Sequence, residues 1–103
     1  MEQHIVDQLT RHMVPPLGEW DNDLGVAWFI PREVVEKKTK NGRLYWIVKV
    51  VDSTNKATAI KCWAVKQGSD RVFINRPYMA RLDYDEQWGF STRSIRYNFK
   101  LLA

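Results

Sequence analysis

The chain has 103 residues, 45% of them hydrophobic and 27% charged, with a net charge of +4. That is room for one domain and one core, in proportions that exclude wholesale disorder and fibrous repeats. A single cysteine, Cys62, and two histidines, His4 and His12, exclude an internal disulfide and a histidine–cysteine metal scaffold.

Residues Glu2 to Val14 place Ile5, Leu9, His12 and Met13 at helical spacing among polar neighbours, which predicts a short amphipathic helix. Pro15-Pro16 ends it, because proline disfavours helix in the residue before it and donates no backbone hydrogen bond. Leu17 to Leu24 reads as an acidic loop, either a linker or an arm packed on the domain. From Gly25 the period becomes two. Gly25 to Lys38 is expected to form a long strand, bent or bulged near Pro31. Thr39-Lys40-Asn41-Gly42-Arg43 carries the Asn-Gly signal of a tight hairpin.

Leu44 to Asp52 forms the second expected strand, with Leu44, Trp46, Val48 and Val50 facing one side and Tyr45, Ile47, Lys49 and Val51 the other. After a turn at Ser53-Thr54-Asn55, Lys56 to Val65 supplies the third. Arg71 to Arg76 fits a short strand or a turn equally well. Pro77 to Tyr84 is expected as the fourth strand, Asp85 to Ser91 as an aromatic loop, and Thr92 to Leu101 as the fifth strand, in which Ile95, Tyr97 and Phe99 alternate with Arg96, Asn98 and Lys100.

These elements divide the chain into a helix and acidic arm, residues 1–24, and a barrel, residues 25–103. The expected fold is all-β in the main: a five-stranded Greek-key barrel of the OB type with a short N-terminal helix. Closure also removes exposed sheet edges. An SH3-like barrel has a similar strand count, but joins its last strands by a short helical turn, for which the alternating pattern after Thr92 gives no signal.

Charge and aromatic content point to a partner. The first 24 residues hold one base against five acids, a net of −4, and the remainder holds 15 bases against 7 acids, a net of +8. Five Trp, four Tyr and four Phe are more rings than one small core normally hides. A basic body rich in flat side chains suits a polyanion with stackable bases. Lys37, Lys38, Lys40 and Arg43 crowd the first hairpin, either to engage phosphates or simply as a solvated tip. Tyr45, Lys49, Lys61 and Trp63 follow on the second and third strands. Each stacked base is worth ~1–3 kcal/mol by alanine substitution, so two rings on that face would matter; Trp63 could instead cap the core. Arg76, Tyr78, Arg81, Trp88 and Arg93, with Phe90 and Arg96, make a second basic and aromatic group, whose Trp-Gly-Phe loop either closes over a groove or seals the barrel. Trp28 and Trp46 are expected inside.

The order Thr39-Lys40-Asn41-Gly42-Arg43, an aromatic-bearing strand closed by Asp52, and a strand ending Lys61-Cys62-Trp63 resembles the OB domain of bacterial-type DNA polymerase III alpha subunits. The likeness spans about Gly25 to Val65 and is shared with the OB domains of aminoacyl-tRNA synthetases and helicases. Two features depart from it: the turn after Asp52 is one residue longer and lacks a glycine, and Trp46 stands where a smaller residue is common. The resemblance implies a detached, non-catalytic module of a replication polymerase or replisome, in its most specific form a phage-encoded one working in the host cytoplasm.

The expected function is therefore single-stranded nucleic-acid binding, DNA ahead of RNA, beside replication proteins. A protein-docking barrel that binds no nucleic acid is the rival reading. No catalytic residue, metal or cofactor is expected: the carboxylates Asp21, Asp23, Asp83, Asp85 and Glu86 fall in solvent-rich segments, and no Gly-rich phosphate loop is present. The longest apolar run, Leu24 to Ile30, is far below the ~20 residues a membrane helix needs, and the N-terminus lacks the pattern of an export signal, so no membrane partner is expected.

Overall fold

In a computed structural model, residues 14–20, 23, 25–52, 57–66 and 68–102 are described. The helix expected over Glu2 to Val14 and the turn at Ser53-Thr54-Asn55 lie essentially outside them. The fold is mainly β. In chain order it comprises a 3₁₀ turn (Leu17–Glu19), β1 (Val26–Lys38), β2 (Leu44–Val51), β3 (Thr58–Cys62), β4 (Tyr78–Arg81), β5 (Asp83–Asp85), β6 (Gly89–Thr92), one helical turn α1 (Ile95–Asn98), and β7 (Phe99–Leu101).

The strands form one sheet in the order β5-β6-β3-β2-β1-β4-β7. Only Leu82 separates β4 from β5, yet four strands stand between them in that order. A residue spans at most ~3.6 Å of chain, so the sheet has to curl until those two strands lie end to end. The result is barrel-like.

Proline explains how β1 serves two partners. Pro31 has no N–H to give to a ladder, and the β1–β2 register shifts between Pro31 and Glu33. Val26–Phe29 pairs with β4, and from Ile30 the strand pairs with β2, first through Ile30 and Pro31 and, beyond the shift, through Glu33–Lys38. The expected bent first strand is present.

The hairpin that follows is also present. The Gly42 N–H donates to the Thr39 carbonyl at 2.9 Å, the Thr39 N–H donates to the Arg43 carbonyl at 2.9 Å, and Gly42 sits at φ 81°. Only the glycine needs positive φ, so the turn is of the kind in which a left-handed residue completes the bend.

Alternation along the strands defines the core. Ala27, Phe29, Val48, Val50, Ile60, Cys62, Tyr78, Ala80 and Leu82 are buried together with Leu17 and Ile95. Phe29 lies between Tyr78 (6.4 Å) and Phe99 (5.3 Å). Trp46 packs against this core from the edge. Trp28 is buried too, but on the opposite side of β1, in a small second cluster with Val14, Ile30, Met79 and Leu102. The segment before β1 is tied to this side: the Trp28 backbone N–H donates to the Pro15 carbonyl at 3.0 Å. Of the two arrangements open to the acidic arm, its described part takes the packed one. Leu17 enters the core, the Gly18 N–H donates to the buried Asp52 carboxylate, and Trp20 meets Phe90 at 5.3 Å.

The second half corrects the expected strand count from five to seven. Leu82 divides the fourth strand, its N–H leaving the ladder to donate to the Gly25 carbonyl at 2.8 Å. The loop expected over Asp85 to Ser91 is a hairpin instead. The Asp85 carboxylate accepts the N–H groups of Gln87 (2.8 Å) and Trp88 (3.1 Å), and Gly89 at φ 79° turns the chain into β6. β6 then runs parallel to β3. Thr92 to Leu101 is not one strand: the Asn98 N–H donates to the Ser94 carbonyl at 3.1 Å, winding α1, and the short β7 pairs with β4. A helical turn does therefore precede the last strand. The helical turn buries Ile95 and leaves Tyr97 81% exposed, which breaks the expected alternation.

Candidate nucleic-acid interface

With Val48 and Val50 inside, the pleat of β2 turns Tyr45, Ile47 and Lys49 outward. The register then fixes their neighbours. Val35 of β1, Ile47 of β2 and Lys61 of β3 lie in one row, Glu33, Lys49 and Ala59 in the next, and Lys37 stands opposite Tyr45. Trp63, one residue past β3, holds its place through an N–H bond to the Thr92 carbonyl at 2.9 Å.

Two aromatic contacts mark this outer face. The rings of Tyr45 and Trp63 lie 4.8 Å apart at 34°, and Trp63 keeps 39% of its surface in water. The Lys61 ammonium stands 4.8 Å from the ring centre of Trp88, itself 63% exposed at the tip of the β5–β6 hairpin. An ammonium over an indole is favourable, and it leaves the charge unneutralised for an anion.

Lys37, Lys38, Lys40 and Arg43 are exposed on the β1–β2 hairpin, and none forms an ion pair with a described residue. Lys49 is paired with Glu33 at 3.5 Å, but both side chains are more than half exposed, so water screens the pair heavily. Arg93 is exposed directly after Thr92, whose carbonyl holds Trp63. Hairpin cations, the Tyr45–Trp63 pair, Lys61, Trp88 and Arg93 thus gather around the outer side of β2, β3 and β6.

The other expected site residues lie elsewhere. Tyr78 is corrected outright: it is 4% exposed, stacked on Phe29, with its hydroxyl accepting the Phe73 N–H at 2.8 Å, and has no face to offer a base. The even pleat of β4 sends it inward with Ala80. Arg76 belongs to the connection between β3 and β4, where its guanidinium lies 5.0 Å from the Phe73 ring. Arg71 approaches the same ring at 5.7 Å. Arg81 is exposed on β4, on the half of the sheet away from β2 and β3. Phe90 is not part of an open loop, since it packs against the core beside Trp20 and Tyr84.

Sequence reasoning took Asn41 as a turn residue only and did not single out Phe73 or Ala64. Phe73 carried a weak signal, an aromatic residue between Arg71 and Arg76 in a segment without periodicity. Ala64 carried none, because its φ of 54° is imposed by the turn after Trp63.

Burial pushes the Cys62 thiol up to about 12, with the nearby Asp70 charge adding to the effect. A thiol so held is not a nucleophile at neutral pH. Among the described residues no three His, Cys, Asp or Glu side chains gather as metal ligands would, and no helix is long and apolar enough to cross a membrane. Comparison of the chain with protein-family models, with curated proteins and with solved structures returns no match.

Proposed function

We propose that this chain is a non-catalytic single-stranded nucleic-acid-binding module that takes DNA in preference to RNA along the outer face of β2 and β3. The observation that carries the reading is the half-exposed Tyr45–Trp63 pair beside Lys61 and Trp88, with hairpin cations that form no ion pair with a described residue. Rings would stack on bases of any identity while the cations follow the phosphates, so sequence preference is weak.

The pairing scheme supports an OB-type barrel. β1, β2 and β3 form a meander, β6 runs parallel to β3, and the broken β4–β5 strand links β1 to β6. Counting β4 and β5 as one strand gives five barrel strands, with α1 and β7 as an addition beyond them. In such barrels strands two and three, flanked by the first and last hairpins, form the ligand face. Here those hairpins carry Lys40 and Arg43 on one side and Trp88 on the other. The likeness of residues 25–65 to polymerase III alpha OB domains favours a replisome setting, where the module would hold a strand for a polymerase.

The test is a titration with oligothymidine and, in parallel, oligouridine at low salt, following tryptophan emission. Quenching by both, stronger with the DNA strand, is expected. No response to either would replace this reading with a protein-docking barrel.

A further inference from the structure

A cavity of about 620 Å³ opens between the β1–β2 hairpin and the segment that leaves β3. Its volume falls within the range of sites that hold small molecules, ~300–1,000 Å³. Leu44, Val65 and Trp63, the ring paired with Tyr45, are its large apolar lining residues. The lining is predominantly apolar, with Thr39, Asn41 and Arg43 as polar members. Ala64 completes it at φ 54°, a left-handed conformation that a non-glycine residue holds only at a cost of ~1–3 kcal/mol.

These features suit one kind of occupant. A flat apolar wall with an amide beside it accommodates a heteroaromatic ring whose edge donates and accepts hydrogen bonds. Asn41 makes no hydrogen bond with a described residue, so both ends of its amide remain available. Arg43 and the neighbouring Lys40 supply the positive charge that a phosphate attached to such a ring requires. We infer that this cavity receives the unpaired base of the terminal nucleotide of a bound strand, stacked on the face of Trp63 that Tyr45 does not occupy. The inference rests on the nucleic-acid reading above and adds to it an end-binding subsite: the module would anchor a strand terminus at the hairpin while the remaining bases run across β2 and β3.

The experiment compares oligothymidines of about six nucleotides, a length within the span of one such barrel. One is intact, one lacks the base at its 5′ end, one lacks it at its 3′ end, and one lacks an internal base. Each is titrated against the full chain and against Ala64→Asn, which fills the cavity with a residue that tolerates positive φ. Removing the base from one terminus should weaken binding to the natural chain about tenfold, and from the other terminus much less. In Ala64→Asn that terminal difference should vanish while the internal loss persists, with the melting temperature showing the variant folded. A second variant, Asn41→Ala, lies on the exposed hairpin and should also reduce the terminal difference. Equal affinity for intact and end-stripped strands would overturn the subsite and leave the nucleic-acid reading standing; so would an undiminished terminal difference in folded Ala64→Asn. Failure of every oligonucleotide to bind at low salt would remove both.

Discussion

Replacing Trp63 by alanine separates a stacking platform from a packing residue. Trp63 keeps 39% of its surface exposed. For a side chain of ~250 Å² that leaves ~100 Å² for a base to cover, worth up to ~2.5 kcal/mol at ~25 cal/mol/Å². Part of the ring stays wet in any complex, so the loss should be ~1–2 kcal/mol, or about 5- to 30-fold in Kd. The structural cost is separate. The 4.8 Å contact with Tyr45 disappears, at ~1 kcal/mol beyond the area lost, and the ~150 Å² of buried indole adds ~2–3 kcal/mol once a compact unfolded chain is allowed for. A total of ~3–4 kcal/mol stays below the ~5–15 kcal/mol by which small domains are stable, so the variant should still fold. Anisotropy of a labelled oligothymidine at low salt measures the first quantity, and a circular-dichroism melt the second. Trp63→Phe should recover most of the affinity. A folded Trp63→Ala protein with Kd within twofold of the natural chain would refute the stacking argument.

Further expectations concern neighbouring positions. Tyr78→Phe removes the hydroxyl that accepts the Phe73 N–H and should cost ~1 kcal/mol of stability while leaving oligonucleotide affinity unchanged, since the ring lies in the core. Asp85→Ala deletes the acceptor of two N–H groups in the β5–β6 turn and should destabilise by ~1 kcal/mol in a denaturant titration. It should also weaken binding by releasing Trp88 from its place near Lys61. Cys62 gives a pH dependence. Its thiol is raised from 9.0 to about 12 in the fold, so above pH 9 the unfolded chain loses this proton first. The contribution is complete below pH 9 and is lost as pH rises toward about 12, at no more than ~1.4 kcal/mol per pH unit. Comparing unfolding free energies of the natural chain and Cys62→Ala across that window should isolate the slope; parallel profiles would contradict it.

The first half of the fold was legible because local rules and packing agree there. Pro31 announced the bend in β1 and Asn41-Gly42 announced the hairpin, whereas both faces of β2 carry apolar residues and only the burial of Val48 and Val50 puts Tyr45 outside. The second half was harder for physical reasons. β6 is only Gly89-Phe90-Ser91-Thr92, with little intrinsic strand preference, and it exists because β3 offers it a parallel partner. Ile95, Tyr97 and Phe99 repeat with period two, yet bonds from Asn98 to Ser94 and Thr92 wind that stretch into a turn. Trp28 shows the limit of alternation on β1: both faces are covered there, one by the core and the other by Val14, Met79 and Leu102, distant in sequence. Tyr78 was placed at the site because its ring suits either a core or a platform, and only the pairing of β4 with β1 decides between them.

The most direct measurement is the affinity of the natural chain for a single-stranded oligothymidine between 50 and 200 mM salt. Release of counter-ions from single strands gives a logarithmic slope of about −0.7 per phosphate engaged, so the hairpin cations and Lys61, meeting roughly three to five phosphates, should give about −2 to −3.5. Over that range affinity should fall about 15- to 130-fold, and tryptophan emission should be quenched by the same complex. Binding that stays flat with salt, or none at the lowest salt, would contradict a basic, aromatic groove for nucleic acid.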